Sequence, residues 1–136
     1  FIVLDELKLL PHLVHLDDAV NFGRDMGVRV IAGLQSIAQL YDQYGEYKSK
    51  SILAGFNTLF AFRPNDSLSR DYIKEQFGKC LVTEYFIKGG SPTDEMREAY
   101  NVEDWEILKL PPGKAYISLD NSYIFYYYFK KYSNRR

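Results

Sequence analysis

Short, almost wholly apolar runs recur along this sequence between stretches in which apolar and polar positions alternate. Phe1–Leu4 is apolar at every position, and 28–34 and 58–62 are apolar at most positions. Runs of this length that contain β-branched or aromatic residues are typical of strands buried on both faces of a parallel sheet. We therefore predict three buried strands in these segments.

Apolar positions with helical spacing fill the segments between these strands. The spacing predicts helices over 17–26, 35–45, 48–56 and 66–77. Asp17 or Asp18 is available as the N-cap of the first helix, and Asp66 or Ser67 as the N-cap of the last.

The C-terminal part predicts further strands and one short helix. The predicted elements are a strand over 81–87, a linker-like loop over 89–92, a helix over 103–110, and a hairpin of strands 115–119 and 123–129. The order of strands and helices is that of an α/β domain. We predict a mostly parallel sheet flanked by helices, with a C-terminal β-hairpin.

Composition and charge narrow the choice of function. The chain has 136 residues, of which 46% are apolar, enough for one domain with a core. Seventeen basic and eighteen acidic residues leave no overall positive electrostatic potential that would attract DNA, so any DNA contact must come from local basic patches.

The sequence offers no zinc site and no membrane span. Cys80 is the single cysteine, and together with His12 and His15 it does not form a set of zinc ligands. No apolar run reaches the roughly 20 residues of a membrane-spanning helix.

The first candidate chemistry lies at Asp5 and Glu6, directly after the first apolar run. Many α/β proteins have an acidic turn at a strand end, but the pattern also matches the metal-binding strand of P-loop ATPases. In those enzymes one carboxylate holds Mg²⁺ and the next orients the attacking water. Gln35 ends the second strand and would lie beside Glu6 in an adjacent parallel strand, where it could sense a γ-phosphate. The alternative for Gln35 is a helix cap.

Two arginines and a basic tail are further candidates. Arg24 is predicted in the last turn of a helix, where a cation suits the helix dipole. Arg63 follows the third strand and would reach a phosphate, a neighbouring subunit or a surface ion pair. Lys130-Lys131 and Arg135-Arg136 stand beside four tyrosines, a mixture that suits either contacts with single-stranded nucleic acid or a solvated edge strand.

A family resemblance connects these residues. The motifs that carry it, in chain order, are Leu4-Asp5-Glu6-Leu7, Gly23-Arg24 with Gly27, Leu34-Gln35-Ser36, Ala38-Gln39-Leu40, Tyr44-Gly45, Phe62-Arg63 and Asn65-Asp66. Together they resemble the TraG/TraD-like coupling proteins of conjugation and type IV secretion, RecA-like ring ATPases of the FtsK/HerA group. The similarity covers about residues 1–120.

The resemblance implies a role for each candidate residue. Asp5 would hold Mg²⁺ through water, Glu6 would be the general base, and Gln35 would sense the phosphate. Arg24 would be a finger reaching the nucleotide of a neighbouring subunit, and Arg63 would belong to the nucleotide-binding residues. The implied cofactors are ATP and Mg²⁺, and the implied partners are other subunits of a hexameric ring, DNA, relaxosome proteins and the secretion channel.

The resemblance also implies that much of the parent protein lies elsewhere. Residues 1–136 would be the C-terminal part of a RecA-like domain, beginning in mid-domain and lacking the glycine-rich phosphate loop and the N-terminal membrane segment. The parent would lie at the cytoplasmic face of the bacterial inner membrane, and this piece would be soluble. The phosphate-loop strand would lie between the strands of 28–34 and 58–62, so its absence would expose two apolar edges. We therefore expect this chain to dimerise, swap elements or shift a strand.

Two functions remain open. In the first, the chain is part of a motor ATPase that moves DNA or protein into a secretion channel, and it is inactive alone. In the second, it is a non-catalytic module that recognises relaxosome or effector proteins.

Overall fold

The computed structural model describes residues 1–88, 90–120 and 123–131, which form a mixed α/β structure. In chain order the elements are β1 Ile2–Leu4, α1 Leu16–Asn21, β2 Val30–Ala32, α2 Ile37–Tyr44, α3 Glu46–Ala54, β3 Leu59–Ala61, α4 Ser67–Phe77, β4 Lys79–Lys88, β5 Ser91–Tyr100, α5 Asp104–Leu108, β6 Lys114–Leu119 and β7 Tyr123–Tyr128. A single 3-10 turn, Leu7–Leu9, follows β1. None of the helices in the described ranges is long and apolar enough to span a bilayer.

The strands form three small sheets. β1 and β2 pair in parallel, with Leu4 opposite Ala32 at their carboxyl ends. β3, β6 and β7 form an antiparallel sheet in that order. β4 and β5 form a long antiparallel ribbon that begins with Lys79 opposite Tyr100 and ends with Lys88 opposite Ser91. The predicted C-terminal hairpin is therefore confirmed as β6 and β7.

The prediction of a mostly parallel sheet is wrong for the described residues, in which β1 and β2 are the one parallel pair. Parallel neighbours need a crossover connection, whereas a strand that returns from the opposite direction pairs antiparallel. β3 does not pair with β2 but takes β6 as its neighbour, with Phe60 opposite Ile117. The chain between β2 and β3 thus leaves the facing edges of these strands unpaired, with a groove between them.

The ribbon contains a strand that the sequence did not predict. A loop was predicted over 89–92 because of its glycines, but Ser91 and Pro92 belong to β5. Gly90 lies in the turn, and Gly89 is outside the described residues. Most residues of Thr93–Glu98 are exposed on both faces of the ribbon. A strand in that position has no buried face, so its sequence shows no alternation of apolar and polar residues. Pro92 fits at the end of the ladder, where a missing N–H costs little.

The first helix is shorter than predicted. α1 ends at Asn21, whose side-chain amide donates to the carbonyl oxygens of Asp17 and Ser51 at 2.9 and 3.1 Å. At Gly23 the chain passes so close to α1 that a Cβ would lie 2.4 Å from the carbonyl oxygen of Ala19. The N-cap is His15, so Asp17 lies in the first turn, where the helix dipole favours a carboxylate.

Two apolar clusters form the core. The first comprises Leu7, Leu16, Val20, Ile37, Leu40, Tyr44, Ile52 and Leu53. The second comprises Ala61, Ile73, Phe77, Val102 and Ile107. Tyr72 packs against both clusters, and burial raises the pKa of its hydroxyl to about 12. This one side chain therefore links the β1–β2 half to the antiparallel half.

One face of the β3–β6–β7 sheet has no helix packed against it among the described residues. Helices α4 and α5 contribute Ile73, Phe77 and Ile107 to the cluster on the other face. Phe60, which lies beside Ile117 on the outer face, is 49% exposed, as is Tyr127. In the described part of the chain, α4 and α5 thus pack on one side of this sheet, and aromatic side chains remain partly exposed on the other.

We predict that Ile52→Ala lowers the free energy of unfolding by about 2–5 kcal/mol, because Ile52 has no exposed surface and its loss leaves a cavity. Urea denaturation followed by circular dichroism measures the change. Tyr47→Ala on the same helix is the control, since Tyr47 is 91% exposed and its loss should cost less than about 0.5 kcal/mol. Equal losses in the two variants would contradict the assigned packing of α3.

Candidate functional site

The predicted acidic pair lies directly after β1, beside the end of β2. The N–H of Gly33 donates to the carbonyl oxygen of Leu4 at 2.8 Å, and the N–H of Leu7 donates to the carbonyl oxygen of Gly33 at 2.9 Å. Asp5 and Glu6 lie between Leu4 and Leu7, the two residues that Gly33 binds in this way. The acidic turn is therefore held at the same sheet edge as the residues that follow β2.

Glu6 has an unusual backbone and an unsatisfied side chain. Its φ of 54° and ψ of 74° lie in the left-handed region, which costs a non-glycine residue about 1–3 kcal/mol. Its Oε1 is buried and has no hydrogen-bond partner within the described residues. Leaving a buried acceptor unsatisfied costs about 1–3 kcal/mol, so the position calls for an explanation. The strained backbone and the unpartnered acceptor together make Glu6 a candidate functional residue.

The acidic turn fits a magnesium–nucleotide complex. Asp5 is exposed, and its neighbour in sequence, Glu6, has a buried carboxylate oxygen without a partner among the described residues. Mg²⁺ in nucleotide sites uses one or two protein carboxylates and takes its remaining ligands from phosphates and water. The described residues contain no cluster of three or more His, Cys, Asp or Glu that would hold a metal without such a substrate.

Gly33 is a site residue that the sequence interpretation missed. A Cβ at this position would lie 3.4 Å from the Glu6 nitrogen and 3.6 Å from Asp5 Oδ1. These are ordinary van der Waals distances, so position 33 packs directly against the acidic turn. The sequence feature that could have pointed to it is a glycine placed between the apolar run of β2 and Gln35.

Gln35 and Arg63 lie on opposite walls of one groove. The groove runs between the unpaired edges of β2 and β3 and has a volume of about 600 Å³. Both side chains are exposed. Ser36, not Gln35, caps α2, since its hydroxyl accepts from the N–H of Ala38 at 3.1 Å. The helix-cap alternative for Gln35 is thus excluded.

A small polar network fixes the two walls of this groove. The buried Ser69 hydroxyl accepts from the N–H of Ile37 at 2.8 Å, and the carboxylate of Asp66 accepts from the N–H of Ser69 at 2.9 Å. Burial works to raise the pKa of Asp66, but hydrogen bonds from Ser69 and Ser36 outweigh it and hold that pKa below its ordinary value. α4, which follows Arg63, is thereby tied to the start of α2, which follows Gln35.

Arg24 lies away from this edge. It sits in the turns after α1 ends, so the helix-dipole explanation for it is wrong. Its carbonyl oxygen accepts from the Arg29 side chain at 3.2 Å, which places it near the amino end of β2, opposite to the end that carries Gln35. Among the described residues neither Arg24 nor Arg63 forms an ion pair.

The remaining candidates have ordinary surroundings or lie outside the description. His12 contacts the Gln43 carbonyl oxygen at 3.3 Å and stacks on Tyr44, and His15 contacts Asp18. Lys130 and Lys131 are exposed. The tail positions Tyr132, Arg135 and Arg136 lie outside the described residues.

The structure is that of a mixed α/β protein with an acidic pair after one strand and a polar residue after the neighbouring parallel strand. Comparison with known proteins identifies its family. The sequence profile of the family "Type IV secretion-system coupling protein DNA-binding domain" matches residues 1–109 of the 136. The chain belongs to this family of type IV secretion coupling proteins, and the predicted resemblance is confirmed.

Comparison with individual proteins also finds coupling proteins. The chain is 27% identical over 129 residues to Coupling protein TraD of Escherichia coli (strain K12). It is 31% identical to the unbound monoclinic form of bacterial conjugative coupling protein TrwBΔN70, with a TM-score of 0.82 over 98% of this chain. A structure of plasmid coupling protein TrwB in complex with ADP and Mg²⁺ matches at 30% identity, with a TM-score of 0.74 over the same share.

This chain corresponds to a part of these relatives. It spans 18% of the length of TraD and 33% and 32% of the two TrwB chains. It is thus one region of a conjugative coupling protein, the region that the family description assigns to DNA binding.

The network at the groove makes a prediction about pH. Asp66→Ala should cost about 1 kcal/mol of folding stability at pH 7 through the lost N-cap, whereas Asp66→Asn should keep most of the cap. Because the folded-state pKa of Asp66 is lowered, its charge stabilises the fold above the unfolded-state pKa, and that contribution is lost as pH falls through the folded-state pKa. Urea denaturation from pH 7 to pH 3 should show the wild-type advantage over Asp66→Asn shrinking towards the acid end. A pH-independent advantage would contradict the network.

Proposed function

We propose that this chain is part of a coupling ATPase that uses nucleotide hydrolysis to drive DNA or protein into a type IV secretion channel. The observation that carries the proposal is the acidic turn, which the backbone of Gly33 holds at the edge that also delivers Gln35. The complexes of TrwB with ADP and Mg²⁺ and with a non-hydrolysable ATP analogue support it.

Each site residue has a role in the proposed reaction. Asp5, exposed at the strand end, would hold Mg²⁺ through water, and the bound ion would neutralise charge on the phosphates. Glu6 would accept a proton from the attacking water at its carboxylate. Gln35 would contact the γ-phosphate, and Arg63 would contact a phosphate or a neighbouring subunit from the facing wall of the groove.

The groove between β2 and β3 is the proposed place of the phosphate-loop strand. Both strand edges that face it have no pairing partner in the described part of the chain, and its walls contain apolar residues such as Ile31, Leu59 and Ala61. A strand inserted there would pair with both neighbours and extend β1 and β2 into a larger RecA-like sheet. Without that strand and its loop we expect the chain alone to hydrolyse no ATP.

The proposal needs an oligomer. Arg24 lies at the opposite end of β2 from Gln35, so it would act as a finger on the nucleotide of a neighbouring subunit. We propose a hexameric ring at the cytoplasmic face of the bacterial inner membrane, with DNA, relaxosome proteins and the secretion channel as partners.

Recognition of a partner protein is a second candidate function. The β4–β5 ribbon places Leu81, Tyr85, Ile87 and Met96 on one face, where each is 74–81% exposed. An apolar stripe of this kind on a projecting ribbon suits contact with a relaxosome or effector protein. Such contact requires no nucleotide.

Glu6→Gln in the longer protein that contains this chain tests the first proposal. We predict that ATP hydrolysis falls by at least about a hundredfold, because the proton acceptor is lost while the side-chain shape is kept. Glu46→Gln is the control, since Glu46 is exposed on α3 and pairs with Lys50. Steady-state phosphate release measures both rates, and an unchanged rate in Glu6→Gln would show that Glu6 is not the base.

Leu81→Ser combined with Ile87→Ser separates the second function from the first. We predict that the double variant hydrolyses ATP at the wild-type rate in the longer protein but loses capture of a relaxosome protein in a pull-down. Intact capture by the double variant would show that the ribbon is not the recognition surface.

A further inference from the structure

A second surface of the chain combines exposed aromatic rings with lysines. We propose that this surface, formed by Trp105, Lys109, Lys114, Tyr126 and Tyr128, binds single-stranded nucleic acid by base stacking and phosphate contacts. It is named the aromatic–lysine surface below. The inference rests on the proposed transfer of DNA and assigns one place where the strand would be held.

Helix α5 supplies the first ring and cation. Trp105 is 57% exposed, and Lys109 lies one turn further on, with its Nζ 4.9 Å from the centre of the indole ring. Trp105 has a large flat face that the core does not use. The Lys109 cation lies over one part of the ring, where it is within reach of a phosphate attached to a base stacked on the exposed part.

The β6–β7 hairpin supplies the second half of the surface. Lys114 is opposite Tyr128, and its Nζ lies 5.0 Å from the centre of the Tyr126 ring and 5.8 Å from that of Tyr128. Tyr126 and Tyr128 are 47% and 54% exposed. Trp105, Lys109 and Tyr126 line one shallow pocket of about 310 Å³, so the two halves form a continuous surface.

The charge of this surface is not compensated by ion pairs. Lys48, Lys50, Lys74 and Lys79 each pair with a carboxylate, whereas in the described ranges Lys109 and Lys114 contact rings only. The N–H of Phe129 donates to the carbonyl oxygen of Gly113 at 2.7 Å, which brings the exposed Lys130 and Lys131 to the same end of the hairpin. Lys114, Lys130 and Lys131 thus lie at one end of the hairpin, in a chain whose net charge is −1.

One carboxylate also lines the pocket, and it is engaged elsewhere. Glu106 Oε2 accepts from the N–H of Glu103 at 2.8 Å as part of the capping box of α5. Burial and the nearby Glu106 carboxylate raise the pKa of the Tyr116 hydroxyl. Glu106 is therefore directed to the start of its own helix.

Stacking requires bases that are not paired, which favours a single strand over a duplex. A duplex would offer phosphates to the four lysines but no free base face to Trp105. A protein partner would leave the lysine charges without a matching group unless it were acidic. Exposed rings alternating with unpaired cations fit a strand that presents bases and phosphates in turn.

The lone tryptophan of the chain makes a direct test possible. A short oligothymidylate titrated into the protein should quench Trp105 fluorescence. Lys109→Ala combined with Lys114→Ala should weaken binding by about tenfold or more and lower the salt dependence by roughly 0.7 per lost phosphate contact. Lys50→Ala, on α3 and paired with Glu46, is the matched control and should bind as the wild type.

Trp105→Phe and Trp105→Ala test the stacking, with binding followed by anisotropy of a labelled oligonucleotide. Trp105→Ala should weaken binding roughly 5- to 100-fold, and Trp105→Phe should retain most of it. The proposal would be overturned if Trp105→Phe and Trp105→Ala bound the oligonucleotide equally well. It would also be overturned if the protein bound a duplex or inorganic polyphosphate as tightly as the single strand, or preferred an acidic peptide. Any of these results would leave the hydrolysis test of Glu6 untouched, so failure of the surface is distinguishable from failure of the proposed function.

Discussion

The parallel pairing of β1 with β2 is the interaction on which the candidate site depends. Three residue pairs form it, and the backbone of Gly33 extends it past Leu4 to Leu7. Asp5 and Glu6 are thereby confined to a short turn, and Glu6 is held in a left-handed conformation with a buried, unpartnered oxygen. The same pairing fixes where the chain leaves β2 towards Gln35. Without it, the acidic pair and Gln35 would have no defined relation to each other.

The rest of the chain supports this edge and adds surfaces around it. The bonds among Asp66, Ser69 and Ile37 join the segment after β3 to the start of α2, so Arg63 faces Gln35 across the groove. Tyr72 links the two apolar clusters. The antiparallel half projects the β4–β5 ribbon on one side and the aromatic–lysine surface on another. The proposed sites of hydrolysis, protein recognition and nucleic-acid contact are thus different parts of the structure.

Most elements were predictable from the sequence because each depends on a local pattern. The apolar runs of β1, β2 and β3 and the cap at Asp66 are of this kind. Pairing was harder, since it depends on which strands the connections bring together; β3 joins β6, and β5 was missed because a strand exposed on both faces carries no apolar alternation. The neighbourhood of the acidic pair was predictable from polar residues at two strand ends, whereas Gly33 and the aromatic–lysine surface emerge only from tertiary contacts.

The most direct measurement is a crystal structure of the longer coupling protein with Mg²⁺ and a non-hydrolysable ATP analogue. The account predicts that the Asp5 carboxylate lies within one water of the metal, and that Glu6 lies within hydrogen-bond distance of a water in line with the γ-phosphate. Gln35 should contact the same phosphate from the neighbouring strand. A nucleotide bound elsewhere, or an acidic turn directed away from the phosphates, would contradict the central claim.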